Sequence, residues 1–168
     1  MNIAIVGATG NVGRKLIEVL EKKNFPLTEA YLVASSNSAG KKIQFLGKEH
    51  TVINLEEFDF SKVKIAFFAA GSAIAEKWAP IAAEKTIVID NSKFFRKDPE
   101  IPLIVPEVNS KELPKFKNKN IIANANCSVI PIVVALKPLH DLYNVKRIVA
   151  STYQSVSGAG KAGMDELI

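Results

Sequence analysis

Apolar and polar positions fall in blocks along the chain, and the blocks switch between two periods. Ile3-Ala4-Ile5-Val6 is an unbroken apolar run, long enough for a strand buried on both faces. From Val12 to about Leu20 the spacing becomes helical, with Val12, Leu16, Val19 and Leu20 sharing one face. A second strand is predicted over Ala30–Ala34, then a polar loop over Asn37–Lys42. A hairpin follows, whose arms Ile43–Leu46 and Thr51–Leu55 flank Gly47-Lys48-Glu49-His50. Val63–Ala69 reads as a buried strand, and Ser72 is placed to cap a helix running through alanine-rich sequence to about Glu84. Thr86–Asp90, Leu103–Val105 and Ile121–Ala123 are further short strands. A turn over Asn124–Asn126 leads into an apolar helix from about Cys127 to Leu142. Pro131 falls in its first turn, and Pro138 in its interior should kink or end it. Arg147–Gln154 has the β-branched and aromatic content of a long strand, and Ser157–Ile168 begins a helix in which the chain stops.

Strand-like and helix-like blocks in alternation predict βαβ units. The expected fold class is α/β, a Rossmann-like doubly wound and mostly parallel sheet. A chain of 168 residues with 48% hydrophobic and 23% charged residues carries enough apolar surface for one core, which excludes a disordered chain. It is too short for two complete enzyme domains. The longest apolar run, Val129–Leu136, falls far short of the roughly 20 residues that span a bilayer. The first residues lack a basic segment and a cleavage site, so no signal peptide or membrane partner is expected and the expected location is cytoplasmic. Twenty-two basic against 17 acidic residues give a net charge of +5, and only Lys111, Lys115, Lys117 and Lys119 gather like charges. Glu112 and Pro114 interrupt them and Phe116 alone makes no aromatic platform, so this loop reads as solvated surface and not as a nucleic-acid site.

Gly7-Ala8-Thr9-Gly10-Asn11-Val12-Gly13 lies between the first strand and the first helix, where a doubly wound fold binds a dinucleotide. Glycines at this spacing permit a tight turn, close approach of backbone amides to a pyrophosphate and close helix-to-strand packing. At the end of the second strand, an Asp or Glu would hold the ribose hydroxyls of NAD. The sequence offers Ala34-Ser35-Ser36-Asn37-Ser38 instead, with Lys41 and Lys42 nearby, which favours NADP as the cofactor. Cys127, the single cysteine, closes a turn and opens a helix, where the positive end of the helix dipole favours a nucleophilic thiolate. Beside a nicotinamide, such a thiolate suggests attack on an acyl carbonyl to give a thioester, with hydride transfer at the same carbon. A general base is also required, yet neither His50 nor His140 has a reason to meet Cys127. No metal site is expected.

Six motifs occur in order along the chain. They are Gly-Ala-Thr-Gly-Asn-Val-Gly at 7–13, Ser-Ala-Gly-Lys at 38–41, Asp-Asn-Ser-Lys-Phe-Phe-Arg at 90–96, Val-Pro-Glu-Val-Asn at 105–109, Asn-Cys-Ser at 126–128 and Ser-Thr-Tyr-Gln-Ser-Val-Ser-Gly-Ala-Gly at 151–160. Together they resemble the aspartate-semialdehyde dehydrogenase family over the whole length of the chain. The resemblance implies an NADP-dependent reductive dephosphorylation of L-aspartyl 4-phosphate to aspartate 4-semialdehyde and phosphate. That step leads towards lysine (through diaminopimelate), threonine, methionine and isoleucine. By the same resemblance Cys127 is the acyl-thioester nucleophile, Arg96 holds the substrate phosphate, and Gln154 orients the substrate. The cofactor is held by Gly7, Thr9, Gly10, Asn11, Val12 and Gly13, by Asn37 and Ser38, and by a second loop at Ser157 and Gly158. Residues 1–125 would then form an NADP-binding domain, and residues 126–168 the start of an α+β catalytic and dimerisation domain, with a homodimer or homotetramer at full length.

Two departures accompany the resemblance. The family commonly has arginine where this chain has Asn37, and asparagine can hydrogen-bond a 2′-phosphate without neutralising it. Family members are also roughly twice this length, with the catalytic histidine and a further substrate-binding arginine in the other half. The chain is therefore expected to be part of a longer enzyme and inactive alone. Three alternatives stand beside this reading. A short-chain dehydrogenase needs Tyr-x-x-x-Lys, but Tyr31, Tyr143 and Tyr153 are followed four positions later by Ser35, Arg147 and Ser157. N-acetylglutamyl-phosphate reductase and glyceraldehyde-3-phosphate dehydrogenase share the thioester logic but differ around the cysteine. A nucleotide-binding module without catalysis is the alternative of another class.

Overall fold

The computed structural model of the chain describes residues 1–167. Its centre is a parallel sheet of seven strands: β1 (Asn2–Val6), β2 (Glu29–Ala34), β5 (Ile53–Asn54), β6 (Ile65–Phe68), β7 (Ile87–Asp90), β8 (Leu103–Ile104) and β9 (Ile121–Asn124). Their order across the sheet is β5-β2-β1-β6-β7-β9-β8. The remaining strands, β3 (Lys42–Phe45) and β4 (Lys48–Thr51), form a separate antiparallel hairpin. The chain winds outward from β1 in one direction and then, after β5, in the other, so the carboxyl ends of β1 and β6 border the crevice where a doubly wound sheet binds its ligands.

The apolar run at the N-terminus is continuous because β1 is covered on both faces. Ile3 and Ile5 pack with Ile17 and Leu20 of helix α1 (Asn11–Lys22), with Leu32, and with Phe45 of the hairpin. Ala4 and Val6 face the other way, into a cluster with Phe68, Val88 and the alanines Ala75, Ala79 and Ala82 of helix α2 (Ser72–Ala83). Small residues on α2 let the helix lie close to the sheet. The chain continues through the short helix α3 (Pro106–Asn109), a 3-10 stretch at Ser110–Asn118, helix α4 (Val129–Tyr143) and helix α5 (Gly160–Leu167). No helix among the described residues is long and apolar enough to cross a membrane.

The doubly wound parallel architecture matches the expectation, and five local predictions are corrected in whole or in part. The hairpin closes on Leu46 and Gly47, both at positive φ, so Lys48–His50 belong to β4 and not to the turn. Its expected second arm splits, because Ile53–Asn54 leaves the hairpin to pair with Val33–Ala34 of β2. Ser72 is the first residue of α2 and not its cap; Gly71, at φ 84, takes the cap position without a side-chain bond. Arg147–Gln154 forms no strand, since no sheet edge among the described residues pairs with it, and its side chains are mostly exposed. Pro138 does not end α4, which continues to Tyr143 and stops on Asn144 in the left-handed conformation. The end of the last predicted helix, at Ile168, lies outside the described residues.

Candidate active site

The glycine loop crosses from β1 to α1 at the carboxyl edge of the sheet. Gly7 has φ 87, and a Cβ there would lie 2.7 Å from the Ala69 carbonyl oxygen, so the loop can pass β6 only with glycine. A Cβ on Gly13 would sit 2.2 Å from the Gly7 carbonyl oxygen, which fixes the close packing of α1 on the loop. Gly10 differs. Its φ is −79 and a Cβ would make only an ordinary 3.4 Å contact, so nothing within the chain demands glycine at this position. The amides of Asn11, Val12 and Gly13 are in the first turn of α1, where no intrahelical acceptor exists, and they supply positive charge at the helix end.

Two adjoining crevices share Thr9 and Gly10. One, of about 350 Å³, runs between Gly7, Ala34, Ser35, Ala69 and Ile74. The other, of about 480 Å³, runs from Asn11 and Val12 past Ala70 and Gly71 to Asn91, Ser92, Ser157 and Gly158. The loop at Ser157 and Gly158, distant in sequence, is thereby brought opposite the glycine loop, and Asn11 Nδ2 reaches Met164 Sδ at 3.8 Å. Beyond β2 the chain turns through a 3-10 turn at Ser36–Ser38. Ser38 Oγ accepts from Thr9 Oγ1 at 3.4 Å and from Lys41 Nζ at 3.3 Å. Asn37 is exposed beside it. Lys42 is turned away into an ion pair with Glu49 at 2.6 Å, so Lys41 is the lysine that serves this side. Arg14, which sequence reading passed over, also donates here, through Nε to the Thr9 carbonyl at 3.2 Å.

The loop after β7 is built on a buried carboxylate. Asp90 is fully buried. Its Oδ1 accepts from the Ser92 amide at 3.1 Å and its Oδ2 from Ser92 Oγ at 2.6 Å, while Ser92 Oγ accepts from the Phe94 amide at 3.1 Å. Burial pushes the Asp90 carboxyl above its ordinary value, opposed by the two Ser92 bonds and by the Arg96 charge. The chain then enters a 3-10 turn at Phe94–Lys97 that carries Arg96. Arg96 is half-buried and lies across the ends of β7 and β9, with Nε donating to the Asn124 carbonyl at 2.9 Å and Nη2 to the Asn91 carbonyl at 3.2 Å. Its remaining N–H groups have no recorded acceptor among the described residues, and a planar fork of this kind matches a phosphate or carboxylate.

Three residues beyond Asn124 stands Cys127, which is exposed. Asn126 is the working cap of α4. Its Oδ1 accepts from the Ser128 amide and Ser128 Oγ, each at 2.9 Å, and its carbonyl accepts from the amides of Val129 and Ile130, each at 3.0 Å. The Ile130 bond is already of α-helical type. The regular helix starts only at Val129 because Pro131 has no N–H to give to the Cys127 carbonyl. Cys127 thus sits in the turn that leads into α4, two residues before the helix begins rather than at its first position, and is exposed.

The structure brings the glycine loop, Ser157 and Gly158 to the crevices, sets Ser38 against Thr9 beside them, and brings Arg96 to the strand end that leads into Cys127. It does not bring Gln154 to the thiol; this exposed side chain donates to Thr152 Oγ1 at 3.3 Å. Nor does it bring a histidine. His50 bonds the Phe45 carbonyl within the hairpin at 3.1 Å. His140 lies about 20 Å further along α4 at about 1.5 Å per residue, beside Val133, Leu136 and Val108. Sequence reading missed Asn91, Ser92 and Asn124 as individual site residues. Their signal was position, since each ends or follows a parallel strand at its carboxyl edge.

With this geometry in view, the relatives of the chain are informative. The profile described as "Semialdehyde dehydrogenase, NAD binding domain" matches residues 2–116, and "Semialdehyde dehydrogenase, dimerisation domain" matches residues 136–168. The chain is 56% identical to aspartate-semialdehyde dehydrogenase 2 of Vibrio cholerae, over 99% of this chain and 50% of that protein. The solved structure of aspartate semialdehyde dehydrogenase II from Vibrio cholerae, complexed with ASA, superposes on 99% of this chain and 50% of its own with a TM-score of 0.96 and the same identity. Aspartate semialdehyde dehydrogenase from Candida albicans, solved with NADP, is 28% identical with a TM-score of 0.64, covering 86% of this chain and 48% of its own. The chain spans about half the length of the relatives it matches. By its match over residues 2–116, the chain belongs to the semialdehyde dehydrogenase family and carries the family's NAD-binding domain.

Proposed function

We propose that the chain is the cofactor-binding and nucleophile-bearing part of an aspartate-semialdehyde dehydrogenase, with NADP as its cofactor. The observation that carries this reading is the exposed Cys127 in the turn leading into α4, three residues from the carbonyl that accepts from Arg96. The residues fit a dinucleotide: Gly10 leaves its side of the loop open, the amides of Asn11, Val12 and Gly13 suit a pyrophosphate, and the two crevices adjoin at Thr9 and Gly10. Ser38, Asn37 and Lys41 would hold a 2′-phosphate, with no carboxylate in the turn to repel it.

In the proposed reaction the Cys127 thiolate attacks the acyl carbon of aspartyl 4-phosphate, and the C–O bond to phosphate breaks with its electron pair leaving on phosphate. Arg96 holds that phosphate in the acyl phosphate and after departure. A reduced dinucleotide held by the glycine loop, Ser38 and the Ser157–Gly158 loop would supply the hydride for reduction of that thioester, and the Cys127 sulfur would leave as thiolate when the aldehyde is released. Gln154 orients the substrate once the exposed segment around it is held against the thiol. No described histidine reaches Cys127, so we assign proton transfer to residues contributed by the other half of the longer relatives. We place the enzyme in the cytoplasm and assign it a homodimer or homotetramer at full length.

Calorimetric titration of the chain with NADPH and NADH tests the cofactor assignment, with NADPH expected to bind more tightly; equal affinity would overturn it. That neither His50 nor His140 lies near Cys127 among the described residues supports a second reading, a dinucleotide-binding module without catalysis. Labelling of Cys127 by an electrophilic reagent separates the two. Fast, phosphate-protected labelling supports the enzyme part, and slow labelling indifferent to phosphate supports the module.

A further inference from the structure

Strands β7 and β9 lie side by side and parallel, with Asp90 opposite Ala123 as the last paired residues of the ladder. Beyond that pair Asn91 has left β7, with its amide on the Phe68 carbonyl at 2.9 Å, and Asn124 is in register with Ile104 of β8, so no backbone bond joins the two. Their side chains make the link: Asn124 Nδ2 donates to Asn91 Oδ1 at 2.6 Å. This amide pair closes the gap just where the backbone ladder stops, and the two carbonyls it holds at a fixed separation are the two that accept from Arg96. One guanidinium edge is thereby spent on protein oxygens, and the other is left to point at a ligand. Asn91 also lines the larger crevice, and Asn124 lies three residues before Cys127, so the pair stands between the cofactor side and the thiol.

We propose that Asn124 is a positioning residue. Through its side-chain bond to Asn91 it fixes the spacing of the two carbonyls that orient Arg96, and so sets the affinity of Arg96 for phosphate. This inference rests on the reading of Arg96 as the phosphate-holding residue. A guanidinium gains most from a phosphate when its plane is fixed before binding, because the ordering cost then falls outside the binding step. Loss of the amide pair leaves both carbonyls in place but lets them drift, and Arg96 binds phosphate less well without any change in charge.

The test uses the 168-residue chain, inorganic phosphate as the probe, and the Arg96 Nε–H signal in nitrogen-15 NMR as the reporter. In the unaltered chain that proton is expected to exchange slowly with water, because it is bonded to Asn124, and to shift on phosphate titration. Asn124→Ala should weaken phosphate binding about fivefold, the scale of one hydrogen bond, and speed exchange at Nε, while NADPH affinity and the melting temperature stay close to those of the parent. Asn91→Ala removes the same bond from its other end and should give an equal loss, with the double variant no worse than either single one. In an Arg96→Lys background, Asn124→Ala should cost nothing further. Undiminished phosphate affinity in Asn124→Ala, or an equal loss with and without Arg96, would overturn the proposal and leave the Arg96 assignment standing. Phosphate binding that ignores Arg96→Lys would overturn both. If Asn124→Ala does not fold, the exchange rate in Asn91→Ala decides: unaltered protection of the Arg96 proton there overturns the proposal.

Discussion

At the scale of single residues, the three glycines of the loop divide by what surrounds them. Gly13→Ala would place a methyl carbon 2.2 Å from the Gly7 carbonyl oxygen and 2.8 Å from Ala8 Cα, both backbone, so neither neighbour can move without moving the strand. We expect a loss of about 2–3 kcal/mol in a urea unfolding experiment. Gly10→Ala meets only an ordinary contact and should change stability by no more than about 0.5 kcal/mol. It should nevertheless lower NADPH affinity about tenfold, because the added methyl occupies the side from which a pyrophosphate approaches the loop. Asp90 gives a prediction in pH. Its carboxyl is held above its ordinary value of 3.8 by burial, so the folded state keeps a proton over a range where the unfolded chain has released it. The contribution of this group is therefore most favourable below 3.8 and declines as pH rises towards the raised value. Asp90→Asn removes that decline while keeping a side-chain acceptor for the Ser92 amide. Urea midpoints of the variant should gain on those of the parent as pH is raised from about 4 to about 7; parallel curves would refute the assignment.

At the scale of elements, the hairpin carries a local conflict that can be relieved. Its two-residue turn needs positive φ at both positions, and Leu46 at φ 54 supplies it with a branched side chain that disfavours that conformation. The amide of Leu46 is bonded to Glu21 Oε1 at 2.7 Å, which helps hold the turn against α1 and does not depend on the side chain of residue 46. Leu46→Asn should therefore stabilise the chain by about 0.5–1 kcal/mol, read as a higher denaturant midpoint with an unchanged slope. The same turn shows why sequence reading faltered there. A leucine at that position reads as the end of a strand, and Gly47-Lys48-Glu49-His50 reads as a longer polar turn, when Lys48 and Glu49 are exposed edge residues of β4. The sheet strands were legible because burial on both faces demands continuous apolar runs, as in Ile3–Val6. The start of α4 was legible to within two residues because Pro131 suits a first helical turn. Arg147–Gln154 was misread because composition reports what a segment can pair as, and pairing needs a neighbouring edge. The Asn91–Asn124 bond was invisible for a related reason: it depends on the register of two strands far apart in sequence.

For the molecule as a whole, apolar surface is unevenly distributed. The sheet and its two covering helices bury their side chains, yet α4 contains no buried residue, and Leu139, Leu142 and Tyr143 are 48%, 75% and 77% exposed. Val149 and Tyr153, in the irregular segment that follows, are exposed at 80% and 99%. An apolar groove of about 280 Å³ between Val108, Val133, Leu136, Val145 and Ile148 lies against the same helix. Contiguous exposure on this scale promotes association in water. At the same time the repulsion between copies carrying a net charge of +5 is screened beyond about 8–10 Å at ordinary ionic strength. Sedimentation velocity of the isolated chain should therefore show a sedimentation coefficient that rises with concentration. Leu139 and Leu142 are three residues apart on one face of α4, near its carboxyl end, where added cations are favourable. Leu139→Lys combined with Leu142→Lys should leave the fold intact, because neither side chain is buried in the monomer. If association buries this face, the pair of substitutions removes about 2–3 kcal/mol, a factor of roughly 30–150 in the dissociation constant, and the variant should sediment as a monomer at concentrations where the parent does not. Association of equal strength in the variant would place the contact elsewhere, with the exposed Val149–Tyr153 segment as the next surface to alter.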